Sequence, residues 1–226
     1  MTAHTPETSL RKALVAASRE LVRRGLNEGT AGNISVRSDG GMLITPSGIP
    51  PEQTTPEMIA AMALESQGHA RGSKAPSSEW RLHRDILVHR CDVGAVVHTH
   101  STYATVLACQ HRSIPALHYM IAAFGVPVIR CTPYVPFGTQ ALSDLIIDHL
   151  GQGHGVLLGN HGMVATGVDL DQAMWRAAEL ESLAKMYVLA TLGGGTPVIL
   201  SDDEIARTIE RFAGYGMTAV KPTAAG

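Results

Sequence analysis

Short apolar runs alternate with longer amphipathic stretches along the whole chain, with neither a linker-like interruption nor an internal repeat. A chain patterned in this way has to lay helices on a sheet, so one α/β or α+β layered domain is the economical solution. Leu10, Ala13, Leu14, Ala17, Leu21 and Val22 share one helical face, Ser9 can cap its start and Gly25 can end it; residues 9–24 read as a helix. Residues 32–45 read as two short strands around Ser38-Asp39-Gly40-Gly41, followed by the loop Thr45-Pro46-Ser47-Gly48. Residues 66–76, polar with Gly, Ser and Pro, read as a second loop. A helix is expected from Ser77 or Ser78 through His89, a buried strand over 94–99 and a helix over 101–110. A strand near 126–131 leads into the Pro-rich loop 133–137, and 138–150 reads as a helix. Residues 155–158 and 162–166 read as strands flanking Gly159-Asn160-His161-Gly162, and 169–192 as a long helix. Ser201-Asp202-Asp203-Glu204 has capping-box spacing and opens a last helix to about residue 213. The length, 226 residues, favours a single domain over 1–226, with residues 1–8 and the tail from about 214 expected to be flexible.

Composition then removes whole classes of function. Charged residues are 17% and the net charge is -2, so the basic excess of a nucleic-acid-binding domain is missing and acidic disorder is excluded. The longest apolar runs fall far short of the ~20 residues that span a bilayer, and the polar N-terminus lacks the apolar core of a signal peptide. Cys91, Cys109 and Cys131 have no close pairing, which argues against a disulfide framework or a CxxC metal site. A soluble, cytoplasmic protein with free thiols is expected, with no nucleic-acid or membrane partner. Histidine is abundant, 11 residues, whereas lysine is confined to Lys12, Lys74, Lys185 and Lys221. That imbalance points to metal chemistry or proton transfer. It points away from Schiff-base chemistry, which needs a desolvated lysine, because no lysine falls in an apolar strand.

His98-Thr99-His100 ends the apolar run Ala95-Val96-Val97. Residues two apart on a strand face the same way, so the two imidazoles can share one ion; surface histidines are the alternative. His161 sits in a glycine-flanked turn after another apolar run, where the glycines permit close approach and unusual backbone angles. Three imidazoles with an open position form a recurring catalytic zinc layout. Glu79, at a helix start, is either an acid complementing the helix dipole or a metal ligand or general base. Ser77 and Ser78 at the same start offer free backbone N–H groups to an anion such as phosphate. Asn27, Thr30, Gly32, Asn33, Ser47 and Gly48 add small polar groups in turns, for which ordinary turn chemistry is an equal account. His83, with His89, His149 and His154, reads as a solvated or interhelical histidine.

The strings GLNEGTAGNISVR (25–37), GMLITPSGIP (41–50), PSSEWRLH (76–83), AVVHTH (95–100), RSIPALHYMIAA (112–123), PYVPFGT (133–139) and NHGM (160–163) resemble the class II aldolase/adducin-like family, most closely its members that cleave L-fuculose 1-phosphate. The resemblance runs over nearly the whole chain. It implies a three-layer α/β/α domain around a largely antiparallel sheet, in a homotetramer with active sites between subunits. His98, His100 and His161 match the zinc-binding histidines. Glu79 matches the catalytic acid/base, which can also ligate the metal. Gly32, Asn33, Ser47, Gly48, Ser77 and Ser78 match phosphate-binding positions. Tyr119 matches a proton-transferring tyrosine from the adjacent subunit, Tyr215 a C-terminal tyrosine that closes over the site, and Phe137 a residue on the aldehyde side.

The implied reaction is reversible zinc-dependent cleavage of a ketose 1-phosphate, L-fuculose 1-phosphate or a close analogue, to dihydroxyacetone phosphate and an aldehyde, L-lactaldehyde. A 5-deoxyribulose or 5-methylthioribulose 1-phosphate aldolase is the near alternative, and methylthioribulose-1-phosphate dehydratases are a further one. L-ribulose-5-phosphate 4-epimerases share the metal site but typically carry aspartate where Glu79 stands. A non-catalytic adducin-like module would lack the histidine set.

Overall fold

A computed structural model of the chain describes residues 6–212 and centres on one seven-stranded sheet. Its strands are β1 (Asn33–Ser38), β2 (Gly41–Ile44), β3 (Ala60–Met62), β4 (Ala70–Arg71), β5 (Ala95–Thr99), β6 (Gly155–Leu158) and β7 (Gly162–Gly167). They lie in the order β4-β3-β2-β1-β5-β7-β6, and every neighbouring pair is antiparallel. The helices are α1 (Glu7–Arg23), α2 (Trp80–His89), α3 (Thr102–Cys109), α4 (Gln140–Leu150), α5 (Leu170–Thr191) and α6 (Asp202–Phe212).

The period-2 alternation of the central strands sorts the helices into two layers. Ala95 and Val97 of β5, Met163 and Ala165 of β7, and Ile34 and Val36 of β1 pack with α1, α3, α5 and α6. Val96 and Val164, one residue out of phase, pack instead with Trp80, Leu82 and Ile86 of α2 and Leu142 and Ile146 of α4. Two apolar cores therefore lie on opposite faces of the sheet, and the expected α/β/α sandwich around an antiparallel sheet is the fold observed. His98 follows the parity of Val96, so it faces the α2/α4 side.

Several boundaries differ from the sequence reading, each for a local reason. Helix α1 starts at Glu7 behind Pro6 rather than at Ser9. Helix α2 starts at Trp80, with Glu79 as N-cap. Of the two serines before it, Ser77 is drawn into a loop pairing: the Ser77 N–H donates to Thr45 O (3.0 Å) and, alongside, the Ser47 N–H to Ala75 O (3.1 Å). No ladder forms over 126–131. Pro127 has no N–H to give; Ile129 instead exchanges two backbone bonds with Ile114 (2.9 and 3.0 Å), and 130–132 makes a single parallel bridge with β6 at Leu157. The loop 66–76 is largely exposed as expected, but Ala70–Arg71 adds β4 to β3. Strand β3, Ala-Ala-Met, carries no β-branched residue and gave no strand signal. The 3-10 turn Tyr119–Phe124 was likewise not anticipated.

One buried charge cluster makes stability pH-dependent. Arg176 of α5 donates to Ala123 O and Thr166 O, both at 2.9 Å. Arg90 donates to Gly151 O and Gly153 O and pairs with Asp92. His154 hydrogen-bonds Thr166 Oγ1 at 3.0 Å within this cluster. Burial first, then the Arg176 and Arg90 guanidiniums, lower its pKa from 6.5 to about 4, against the opposing pull of Asp92. Between those values the unfolded chain binds a proton that the native chain refuses, so stability is full above pH 6.5 and falls as pH drops toward 4. The slope from one such group is at most about 1.4 kcal/mol per pH unit. Urea unfolding across that range is expected to lose stability, and His154→Gln to flatten part of the loss; an unchanged slope in the variant would exclude His154 as its source.

Candidate active site

The antiparallel register of β5 and β7 brings the sequence-distant histidines together. Thr99 lies opposite Met163, so the turn between β6 and β7 lands beside the end of β5. His98 and His100 leave β5 on one face, and His161 reaches them from that turn. The three ring centroids are 4.9, 4.8 and 5.0 Å apart, and one ligand atom from each lies within 4.8 Å of the others. The Glu79 side chain does not cap α2. It turns toward the histidines, with Oε2 3.1 Å from His98 Nε2 and Oε1 3.3 Å from His161 Nε2.

Hydrogen bonding fixes what these atoms can do. His98 Nδ1 is 2.9 Å from Met163 O, an acceptor only, so Nδ1 carries the hydrogen and Nε2 presents its lone pair inward. That Nε2 lies 3.1 Å from His100 Nε2 as well as from Glu79 Oε2. Glu79 Oε1 is buried without a hydrogen-bond donor. Lewis-basic atoms packed this closely repel one another unless a cation sits among them. Three imidazoles and one carboxylate are a donor set that fits Zn²⁺.

The same crowding sets how these groups hold protons when no cation is among them. Burial would raise the Glu79 pKa, but the facing His98 and His161 and a hydrogen bond from Asn33 hold its carboxyl well below the usual carboxylate range. Burial acts against a charged His98, yet Glu79 and the Met163 carbonyl raise its pKa overall. His100 and His161 are pushed down to about 4, by burial and then by His98.

Supporting residues hold this geometry from behind. Asn27 Oδ1 accepts the His100 backbone N–H at 3.1 Å. Gly32, at φ 71°, passes so close to the Asn27 amide and the His98 carbonyl that a Cβ there would collide with both. The left-handed residue of the 159–162 turn is Asn160 (φ 53°), not one of its glycines. Gly162 serves close approach instead, since a Cβ would strike Thr99 O and the His100 ring. Asn33 Nδ2 donates to Glu79 Oε2 at 3.0 Å. His83 is fully buried against Asn33 and Ser35, so neither a solvated nor an interhelical reading holds.

Above the donor set opens a pocket of about 360 Å³. Gly32, Asn33, Ser47, Gly48, Ser77, Ser78, Glu79, Phe137, His100 and His161 line it, as does Thr30; His98 lies beneath, fully buried. Ser77 does not offer the free N–H expected of it: that group is bonded to Thr45, and its hydroxyl accepts the Glu79 N–H at 3.2 Å. Ser78 N–H, Gly48 N–H and the Ser47 and Ser78 hydroxyls have no partner among the described residues and remain for an anion. Tyr134, Val135 and Asn160 also line the pocket; all three fall in the segments 133–139 and 160–163 that resemble the family, but none carries a charge or spacing signal of its own. Tyr119 is not brought to this pocket by its own chain. It is 51% exposed and packs on the His118 ring at 4.7 Å. Tyr215 lies outside the described residues.

The model of the class II aldolase and adducin N-terminal domain matches residues 12–188. A 5-methylthioribulose-1-phosphate/5-deoxyribulose-1-phosphate aldolase of Rhodospirillum rubrum is 46% identical over 95% of this chain and 96% of its own. An L-fuculose phosphate aldolase of Escherichia coli is also 46% identical, over 92% of this chain and 96% of its own. A solved structure of an L-fuculose 1-phosphate aldolase superposes with a TM-score of 0.88 at 36% identity, covering 93% of this chain and 99% of that one. The chain belongs to the class II aldolase and adducin family.

The contact of Gly32 with Asn27 and His98 yields a direct test. Gly32→Ala is expected to cost about 1–3 kcal/mol through its positive φ and the collision. By displacing Asn27 from the His100 N–H it should also lower the affinity of the histidine set for a divalent cation, with zinc as the probe. Thermal melting and zinc titration of the two proteins check both effects.

Proposed function

We propose, with that family membership as the premise, that this class II aldolase cleaves a ketose 1-phosphate reversibly to dihydroxyacetone phosphate and a short aldehyde. Zinc is its metal, His98, His100 and His161 are the ligands, and Glu79 is both a ligand and the acid/base group. One observation carries this reading: a buried carboxylate and three imidazoles converge at the floor of a pocket whose rim offers unpaired hydroxyls and amides to a phosphate. Zinc, when bound, supplies the Lewis acidity that polarises the ketose carbonyl and stabilises the negative charge left by bond cleavage.

The side chains account for binding and proton traffic. Ser47 and Ser78 hydroxyls with the Gly48 and Ser78 amides take the phosphate, at the entry to α2 where the helix dipole favours an anion. Cleavage removes the proton of the C4 hydroxyl, breaks the C3–C4 bond, releases the aldehyde and returns a proton to C3. Glu79 delivers that last proton and removes it in the condensation direction. Its depressed pKa keeps it ionised, the form that can accept a proton. Tyr119 takes the C4 hydroxyl proton in the pocket of a neighbouring subunit of a homotetramer, a role its exposure leaves open; Tyr215 closes over the site.

Tyr134, Val135 and Phe137 give the pocket an apolar wall. L-Fuculose 1-phosphate, with L-lactaldehyde as product, suits such a wall through its terminal methyl group. The second reading is 5-deoxyribulose or 5-methylthioribulose 1-phosphate, favoured by the Rhodospirillum rubrum relative. All three ketose phosphates end in an apolar group. Pockets distinguish such groups by only ~1–3 kcal/mol per methylene, so the discriminating experiment is kcat/KM for the three with one enzyme preparation. L-Fuculose 1-phosphate is expected to be cleaved best; preference for either pentulose would select the salvage reading. No helix among the described residues is long and apolar enough to cross a membrane, and the three cysteines are free thiols, which supports a cytoplasmic setting.

Glu79→Gln is expected to keep fold and zinc while losing about 10²–10⁴-fold in cleavage. Near-normal turnover would remove Glu79 from the mechanism. Chelation should abolish activity in the unaltered enzyme and zinc should restore it.

A further inference from the structure

Behind Glu79 lies a buried polar chain that the reaction as described leaves unused. Glu79 and His83 are four residues apart across the first turn of α2, about 6 Å along the helix. Asn33 and Ser35 are two apart on β1, about 6.8 Å along the strand, and face the same way. The two spacings match, so the helix pair lies over the strand pair. Asn33 Nδ2 donates to Glu79 Oε2 at 3.0 Å. Asn33 Oδ1 meets His83 Nε2, and His83 Nδ1 is 2.8 Å from Ser35 Oγ. His83 and Ser35 are both fully buried.

The direction of every bond in this chain follows from its last member. An ionised carboxylate only accepts, so the Asn33 amide must turn its NH₂ toward Glu79 and its oxygen toward His83. His83 Nε2 must then carry a hydrogen. Burial keeps this imidazole neutral, its pKa lowered to about 3, so Nδ1 is bare and accepts the Ser35 hydroxyl hydrogen. The donors run Ser35, His83, Asn33 and end on Glu79 Oε2. Glu79 Oε1 receives no hydrogen bond although it is buried.

We infer that His83 is a positioning residue for the acid/base group: by locking the Asn33 amide it ties Glu79 through Oε2 and leaves Oε1 as the oxygen that carries the proton. In the opposite tautomer His83 would present a lone pair at Nε2. The Asn33 amide would turn over, and its oxygen would face the carboxylate. The inference rests on Glu79 being the acid/base group, but its structural half can be read without turnover.

The first measurement is the imidazole ¹⁵N spectrum of the full-length, zinc-loaded protein labelled at histidine, with His83 assigned by its absence in His83→Gln. A hydrogen on Nε2 and a bare Nδ1 at neutral pH are expected; the reverse tautomer or an imidazolium overturns the inference. The second compares His83→Gln, whose amide can still donate near the Nε2 position, with His83→Leu, which cannot donate. His83→Gln should keep kcat within about threefold, while His83→Leu should lose at least about tenfold in kcat with little change in KM and unaltered zinc stoichiometry. Equal losses in both variants, or none in His83→Leu, overturn it. Should His83→Leu fail to fold, Ser35→Ala substitutes for it. With Glu79 and Asn33 in place, Nε2 should keep its hydrogen and kcat should stay within about threefold; a switch to the Nδ1–H tautomer, or a larger loss of kcat, overturns the inference. If no ketose phosphate is cleaved by the unaltered protein, the aldolase reading fails while the tautomer result stands.

Discussion

The crowding of lone pairs at the end of β5 is the constraint around which the molecule is organised. His98 Nε2 stands 3.1 Å from both His100 Nε2 and Glu79 Oε2 with its other nitrogen already committed to Met163. Such an arrangement is unfavourable in a protein that has nothing positive to put there. The fold sustains it at the end of a central strand whose two faces carry the two apolar cores, with His98 and Glu79 buried and His100 open to the pocket. Each donor is also fixed by a bond from behind: Met163 O for His98, Asn27 for the His100 backbone, Leu158 O for the His161 backbone, Asn33 for Glu79. The energy that opposes the cluster in the bare protein is what favours a divalent cation, since both have one origin.

Position within the sheet decides which parts of the site are rigid. Strand β5 is flanked by β1 and β7, so its histidines issue from the interior of the sheet. Strand β1 carries Asn33 and Ser35 to the same region. The anion-binding groups come from two loops that pair with each other, Thr45 to Ser77 and Ser47 to Ala75. The groups proposed for phosphate binding and for acid/base chemistry are thus linked through a few residues: Ser77 accepts the Glu79 N–H while its own N–H holds the Thr45 loop.

Much of this was legible in the sequence, and the limits are physical. The continuous apolar runs at 95–97 and 155–158 identified the strands that deliver the three histidines, and His98 and His100 share a face because strand alternation requires it. The order of strands and the register that brings His161 across are long-range facts that no local pattern encodes. Glu79 was recognisable as a helix-start acid, but only the placement of α2 over β1 shows that it forgoes capping to face the histidines. The Ser77 amide reads as free in the sequence because the Thr45 loop that occupies it is 32 residues away. His83 looked unremarkable on an amphipathic helix, and its burial against Asn33 depends on the match between helical and strand spacing. Strand β3 escaped because alanines carry little strand preference, and the expected strand at 126–131 failed because Pro127 interrupts hydrogen bonding.

That failed strand has a consequence of its own. The segment from 126 to 135 is tied to the rest of the chain by single bridges at Ile129 and Cys131 rather than by a ladder, and it leads into the apolar wall of Tyr134, Val135 and Phe137. Its backbone packs on the turn that carries His161, since a Cβ at Gly159 would meet Thr132 O and Tyr134 N. The side chains of the wall face the pocket instead, and substitutions confined to them leave that backbone contact in place. A scaffold built this way can drift among ketose phosphates over evolutionary time while its chemistry stays fixed. Two relatives at the same 46% identity, bearing different substrate names, are what such drift would leave behind.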